Sequence, residues 1–213
     1  MDYSFCTTDP KVLNLNKYKV SFIPNPVDES LDDMKIYENK NPEYDLFFAM
    51  SHGVHRGVLK KGKFDERENI INFLIKKNPH LKFNVFGMNN VQPIWGDEFK
   101  KNLYNSKIAL NLSQGKPLKY YSSDRIAQLM GNGIATLIDK RTKLNKLFSE
   151  NEAIFYNSIK DLNKKLNMML KKKNQRILMA KKGRMNYHKK FNSVLVADYI
   201  VSKTFNINKK FNW

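Results

Sequence analysis

Apolar and polar residues alternate in blocks along most of the chain, and the blocks come in two lengths. Short continuous apolar runs stand at "DLFFAM", "KFNVFG", "KIALNLS", "IATLID" and "AIFYN". Runs of roughly four to eight residues bounded by polar breaks predict strands buried on both faces. Longer segments with helical spacing lie between them. "FDERENIINFLIKKN" has acids in its first turn, Lys76 and Lys77 in its last, and Ile70, Ile71, Phe73 and Leu74 on one side. That arrangement suits the helix dipole and one core-facing stripe. "GDEFKKNLYNS" and "RTKLNKLFSE" predict two more helices, and the chain beyond "AIFYN" predicts helix throughout. "YYSSDRIAQLMGNGIATLID" reads as a cap, a short amphipathic helix, a Gly-Asn-Gly stop and a buried strand. Strands alternating with helices predict parallel pairing through right-handed crossovers. The expected fold is α/β, an open doubly wound parallel sheet with a C-terminal helical extension.

The first 44 residues break the pattern. "VSFIPNPVDES" has a short strand signal stopped by Pro24 and Pro26, and a polar, acidic segment follows. Proline neither donates to a ladder nor continues a helix. The expected organisation is an arm over residues 1–44, a Rossmann-like domain over 45–190, and a C-terminal helix and tail over 191–213. The terminal helix "SVLVADYIVSKTF" is apolar on more than one side. An exposed apolar patch is therefore expected there unless the arm or another chain covers it.

Composition narrows the function classes. At 213 residues, 41% hydrophobic and 12% aromatic, the chain is globular rather than disordered. No apolar run approaches the roughly 18 residues of a spanning helix, and the start lacks the regions of a signal peptide, so a cytoplasmic location is expected. The single cysteine, Cys6, excludes an internal disulfide framework. The four histidines lack ligand spacing, so no metal is expected.

Net charge is +18. Residues 1–50 hold nine acids against five bases, whereas residues 160–190 hold twelve Lys or Arg against Asp161 alone. Such a run forms a positive face toward phosphates, nucleic acid or an anionic membrane. Heavy use of Asn, Lys and Ile by an AT-rich genome explains the same run without any ligand.

In open α/β sheets, ligands bind beyond the carboxyl ends of the strands, which singles out the loops after Met50, Gly87 and Ser113. Ser51 opens "SHGVHRGVLKKGK", where Gly53 and Gly57 allow close backbone approach and Arg56, Lys60, Lys61 and Lys63 supply charge. A diphosphate requires such groups, and a solvated basic loop presents them too. Neither Walker A nor G-x-G-x-x-G spacing occurs. His52, directly after the strand, is the candidate acid or base, with an ordinary loop histidine as the alternative. In "NLSQGKPLKYYSSDR", Asn111, Ser113, Gln114 and Gly115 follow a strand, and Lys116, Lys119 and Arg125 surround the next helix start. Ser122 or Ser123 can cap that helix, leaving its amides for an anion. Arg125 opposes the helix dipole at a cost of a few tenths of a kcal/mol, so a negative group is expected beside it.

On these residues, from about Val20 to Phe205, the chain resembles the C-terminal, donor-binding half of GT-B glycosyltransferases, in particular the spore-coat-maturation-like branch of glycosyltransferase group 1. "FIPNPVD" is similar to the segment linking the two domains of such enzymes. "DLFFAMSHGVHRGVLKKGK" is similar to their first donor-domain strand and basic loop, and "SDRIAQLMGNGIATLID" to their Arg-x-Phe-Glu-x-x-x-x-Gly segment. The resemblance implies a nucleotide-diphosphate sugar as donor substrate and an unspecified acceptor. It places Arg56, Lys60 or Lys61, Lys119 and Arg125 on the diphosphate, with no metal or other cofactor. Gln128 stands where relatives have a ribose-binding glutamate, and the loop after Gly87 would flank the base. About 20 residues precede the linker-like segment, so a fragment of a longer protein, or a protein partner supplying the acceptor domain, is expected.

The alternative is a catalytically inactive basic binding protein for an anionic membrane surface or nucleic acid. Tyr187 is the only aromatic residue within 160–190, which disfavours base stacking. Lipid is favoured instead, in keeping with a peripheral position at the inner membrane face.

Overall fold

The computed structural model describes residues 3–15, 19–50, 66–113, 115–121, 123–211 and 213. Ser51, His52, Gly53, Arg56, Lys60, Lys61 and Ser122 lie outside the described residues.

Two short strands near the start, β1 (Ser4–Cys6) and β2 (Val20–Phe22), pair in parallel. The body is a second, fully parallel sheet of β3 (Tyr44–Ala49), β4 (Phe83–Phe86), β5 (Ser106–Asn111), β6 (Ala135–Asp139) and β7 (Ile154–Tyr156), in the order β4-β3-β5-β6-β7. Its helices are α1 (Glu66–Lys77), α2 (Gly96–Tyr104), α3 (Arg125–Gly131), α4 (Ile159–Lys171), α5 (Lys173–Phe191) and α6 (Ser193–Thr204).

The apolar runs become central strands because helices cover both faces of the sheet. Leu46 and Phe48 of β3 pack with Ile108 and Leu110 of β5 against Ile71 and Leu74 of α1 and Leu162 and Leu166 of α4. Phe47 and Ala49 point the other way, onto Leu103 of α2 and Leu129 of α3. Full burial of Leu46, Phe47 and Phe48 leaves no exposed face that alternation could mark. The doubly wound sheet and its helical C-terminal part match the expected fold class.

Three elements differ from the sequence expectation. β1 is too short to register as a periodic signal. The predicted helix at "RTKLNKLFSE" is replaced by two 3-10 turns, Lys140–Thr142 and Leu144–Lys146, separated by Lys143 at φ 58°. Asp139 accepts the Arg141 backbone N–H at 2.8 Å and grips its guanidinium at 2.6 Å, while the Thr142 hydroxyl donates to the Asp139 carbonyl at 2.6 Å. These local bonds offer the backbone an alternative to the helical ladder. The helical stretch between β7 and the expected terminal helix is divided at Lys172; the terminal helix α6 starts as expected, capped by the Asn192 side chain, which accepts from Leu195 N–H at 2.9 Å.

The segment after β2 is strapped to the body. Val27 exchanges backbone bonds with Phe191 and Ser193 (2.9 and 2.8 Å), Tyr187 Oη donates to the Asn25 carbonyl at 2.9 Å, and Arg184 Nε donates to the Met34 carbonyl at 3.1 Å. α6 buries Val196, and its Tyr199 packs on Phe5, Phe211 and Trp213. The arm and tail cover part of the expected patch; Val194 and Phe205 remain 74% and 72% exposed.

The start of the arm is held by charge. Asp9 pairs with Lys119 at 2.5 Å, and its N–H donates to the Lys119 carbonyl at 3.0 Å. The hydrogen bond from Lys119 holds the Asp9 carboxyl below its ordinary value. A carboxylate with a depressed folded pKa contributes stability above its unfolded pKa and loses it as pH falls through the folded value. Asp9→Asn is therefore expected to lower the thermal midpoint at neutral pH. That deficit should close as wild type is acidified below about pH 4, near the free carboxyl value, in melts followed by circular dichroism. A gap that persists undiminished in acid would remove the pair as its cause.

Candidate functional site

Strand order reverses between β3 and β5, because β4 lies on one side of β3 and β5 on the other. The helices that follow them, α1 and α3, pack on opposite faces of the sheet, as binding crevices of this fold require. An open cleft of about 430 Å³ occupies the position. Ala49 and Met50 form its floor at the end of β3. Ile94 and Trp95 come from the β4–α2 connection, Phe99 from α2, Arg125 and Gln128 from α3, and Asp32 from the strapped segment.

Arg125 is buried despite its charge. Nη1 donates to the Leu112 carbonyl at 2.7 Å, just beyond β5, and the guanidinium carbon lies 5.1 Å from the centre of the Phe48 ring. A carbonyl oxygen and the electron-rich face of an aromatic ring thus hold the guanidinium. They also fix its side chain where it lines the cleft.

At the start of α3, Ser122 of the expected cap pair lies outside the described residues. Asp124, just before α3, already has helical angles (φ −47°, ψ −24°) and its side chain makes no cap bond among the described residues. The N–H groups of Ile126 and Ala127 bond the carbonyls of Ser123 and Asp124 at 3.1 and 3.0 Å. The tight first turn engages these two amides, and the Ser123 hydroxyl is buried without a partner among the described residues. Asn111, at the carboxyl end of β5, is 3% exposed, and neither its amide nitrogen nor its oxygen has a partner among the described residues.

The other predicted residues are distributed as follows. Arg125 and Gln128 reach the cleft wall; Gly87, Ser113 and Gly115 belong to the adjoining connections and do not line it. Lys119 is engaged by Asp9 and lies 4.9 Å from the Tyr120 ring centre. Among the described residues, no group of three His, Cys, Asp or Glu side chains could hold a metal ion.

Sequence reasoning missed Trp95, Phe99 and Asp32. Trp95 is 62% exposed, an unusual position for so large an apolar ring, and its place after a strand end was the available signal. Asp32 accepts from the Asp28 N–H and from Asn132 Nδ2 at 3.1 and 3.0 Å. Burial pushes its carboxyl above the ordinary range despite these bonds. No sequence signal placed it at the cleft.

A Rossmann-like α/β body with a cleft at its switch point, carrying an arginine and two aromatic rings, defines the class. Residues 66–202 match the family profile described as glycosyl transferase-like, and the chain belongs to that family. The match spans more than half of the sequence. Three solved structures agree in fold. Sucrose-phosphate synthase (tll1590) from Thermosynechococcus elongatus is similar at 12% identity and TM-score 0.64, over 95% of this chain and 57% of that one. A glycosyltransferase from Rickettsia africae gives 11% and 0.66, over 98% and 64%. Anabaena Alr3699/HepE, solved in complex with UDP-glucose, gives 9% and 0.64, over 96% and 64%. The chain therefore spans less than two thirds of each of these structures. Its fold is the Rossmann-like half of a GT-B glycosyltransferase, as the resemblance implied. No curated protein matches it by sequence.

Proposed function

We propose that the chain is the donor-binding half of a nucleotide-sugar-dependent glycosyltransferase, transferring a sugar to an acceptor held by a further domain or partner. The observation that carries this reading is the cleft at the β3/β5 switch point, with Arg125 on its wall in a member of the glycosyl transferase-like family. Arg125, pre-oriented by the Leu112 carbonyl, would offset charge on the departing nucleoside diphosphate, with Arg56, Lys60 and Lys61 adding cations from the loop after β3. Gln128 would hydrogen-bond a ribose hydroxyl as donor or acceptor. Trp95 and Phe99 offer flat apolar surface to the base. The relative HepE was solved with UDP and with UDP-glucose, which makes uridine diphosphate sugars the first donors to test.

Trp95 and Trp213 are the only tryptophans, so Trp213→Phe leaves Trp95 as the sole reporter. Uridine diphosphate sugars are expected to quench its fluorescence saturably and to raise the thermal midpoint. Trp95→Ala should weaken the affinity read from that midpoint on the order of tenfold, the scale of one lost stacking contact. A panel of uridine, guanosine and adenosine diphosphate sugars at millimolar concentration that shifts neither signal would refute the donor site.

A further inference from the structure

The longest helix, α5, has two different faces. Arg176, Met179, Ala180, Gly183, Tyr187 and Phe191 are buried, spaced by threes and fours as one core-facing stripe requires. The opposite face exposes Leu178, Lys181, Lys182, Met185 and Lys189. At 100° per residue, Leu178, Met185 and Lys189 fall within about 40° of one another, and Lys181 and Lys182 flank them on either side. Leu178 is 51% and Met185 58% exposed. The helix contains no acidic residue, and among the described residues no carboxylate pairs with these three lysines. Three consecutive exposed lysines, 171–173, stand at the corner where α4 meets α5.

Unpaired lysines around exposed aliphatic chains, on a rigid helix some 24 Å long over residues 173–189, are the chemistry of an interfacial helix lying on an anionic bilayer. Lysine stems lie along the apolar surface while their ammonium groups reach lipid phosphates. A single-stranded nucleic acid would instead require exposed rings for base stacking, and both aromatic residues of α5, Tyr187 and Phe191, are buried. A protein partner would have to supply a matching acidic, apolar groove. The bilayer supplies both terms everywhere on its surface.

We propose that the solvent face of α5 docks the protein in the plane of an anionic lipid bilayer, Leu178 and Met185 entering the headgroup boundary and Lys181, Lys182 and Lys189 meeting lipid phosphates. No helix among the described residues is long and apolar enough to cross a membrane, so docking is peripheral. The test is co-sedimentation with phosphatidylcholine vesicles, with and without roughly one third phosphatidylglycerol, across a salt series. The expected result is binding to the anionic vesicles only, falling steeply as salt rises. The triple variant Lys181→Gln, Lys182→Gln, Lys189→Gln should weaken it on the order of a hundredfold. Leu178→Gln with Met185→Gln should weaken it about tenfold. Removing equal charge elsewhere with Lys76→Gln, Lys77→Gln and Lys82→Gln should change it less than about twofold. All six lysines are exposed, as are Leu178 and Met185, and circular dichroism melts check that each variant folds. The wild-type lipid and salt series decides the question without any variant. Equal binding to neutral vesicles overturns the proposal, as does equal weakening by the distant lysine set. Displacement of bound anionic vesicles by a single-stranded polynucleotide at matched phosphate concentration overturns it as well.

Discussion

Gly87→Ala is expected to destabilise the protein by about 3 kcal/mol, lowering its thermal midpoint by roughly 6–12 °C. Gly87 ends β4 at φ 80°, and a Cβ there would sit 1.9 Å from the Met50 carbonyl oxygen and 2.9 Å from its carbon. Both are backbone atoms, so no side chain can swing aside. The ends of β3 and β4 are pinned at this point by Met50 N–H to the Phe86 carbonyl and Gly87 N–H to the Val91 carbonyl, each 3.1 Å. Alanine must push them apart or leave the left-handed region, which breaks the second bond. Gly115→Ala is the control: φ is 70°, with no atom of the other described residues, its chain neighbours apart, within 4 Å of the added carbon, so the backbone cost of about 1 kcal/mol applies. Melts followed by circular dichroism compare the two, and equal losses would refute the close approach. Met50 forms part of the cleft floor, so Gly87→Ala should also weaken nucleotide-sugar binding in the surviving folded fraction.

Tyr187→Ala is the second large effect, with an expected loss of about 3–5 kcal/mol. The ring is 1% exposed and lies between Phe148 and Phe191, with centroids 5.3 Å from each. Its hydroxyl donates to the Asn25 carbonyl, joining the strapped segment to α5. Burial drives the phenol far above its ordinary pKa, so the hydroxyl remains a donor throughout the usual pH range. Tyr187→Phe keeps the packing and removes only that donor, for an expected loss of about 1 kcal/mol. Urea unfolding separates the two contributions, and a Phe variant as unstable as the Ala variant would show that the hydrogen bond dominates. Faster proteolysis ahead of residue 27 in Tyr187→Phe would report release of the strap.

The relation of sequence to structure differs between body and site. Runs such as "DLFFAM" could be read directly, because a strand covered on both faces must be apolar at every position. α1 was equally plain, with acids in its first turn and Lys76 and Lys77 in its last. The stretch at 140–146 misled because its composition suits a helix, whereas its conformation is set by the fork of Arg141 on Asp139 and by left-handed Lys143. β1 carries no periodic signal in three residues and exists through its partner β2.

The segment around Arg125 draws the same line most sharply. By itself, the sequence determined a parallel α/β sheet and where its strands end, and it marked the arginine at a helix start beside which a negative group is expected. Those features rest on local patterning and on the helix dipole, which act over a few residues. Only the tertiary structure decided that the Leu112 carbonyl and the Phe48 ring hold Arg125, and that Trp95 and Asp32 share the cleft with it. It also decided that Leu178 and Met185 face outward while Met179 and Tyr187 face the core. Contacts between distant segments select which of several apolar surfaces is buried, and hydrophobicity along a chain does not distinguish the face that is covered from the face that is left.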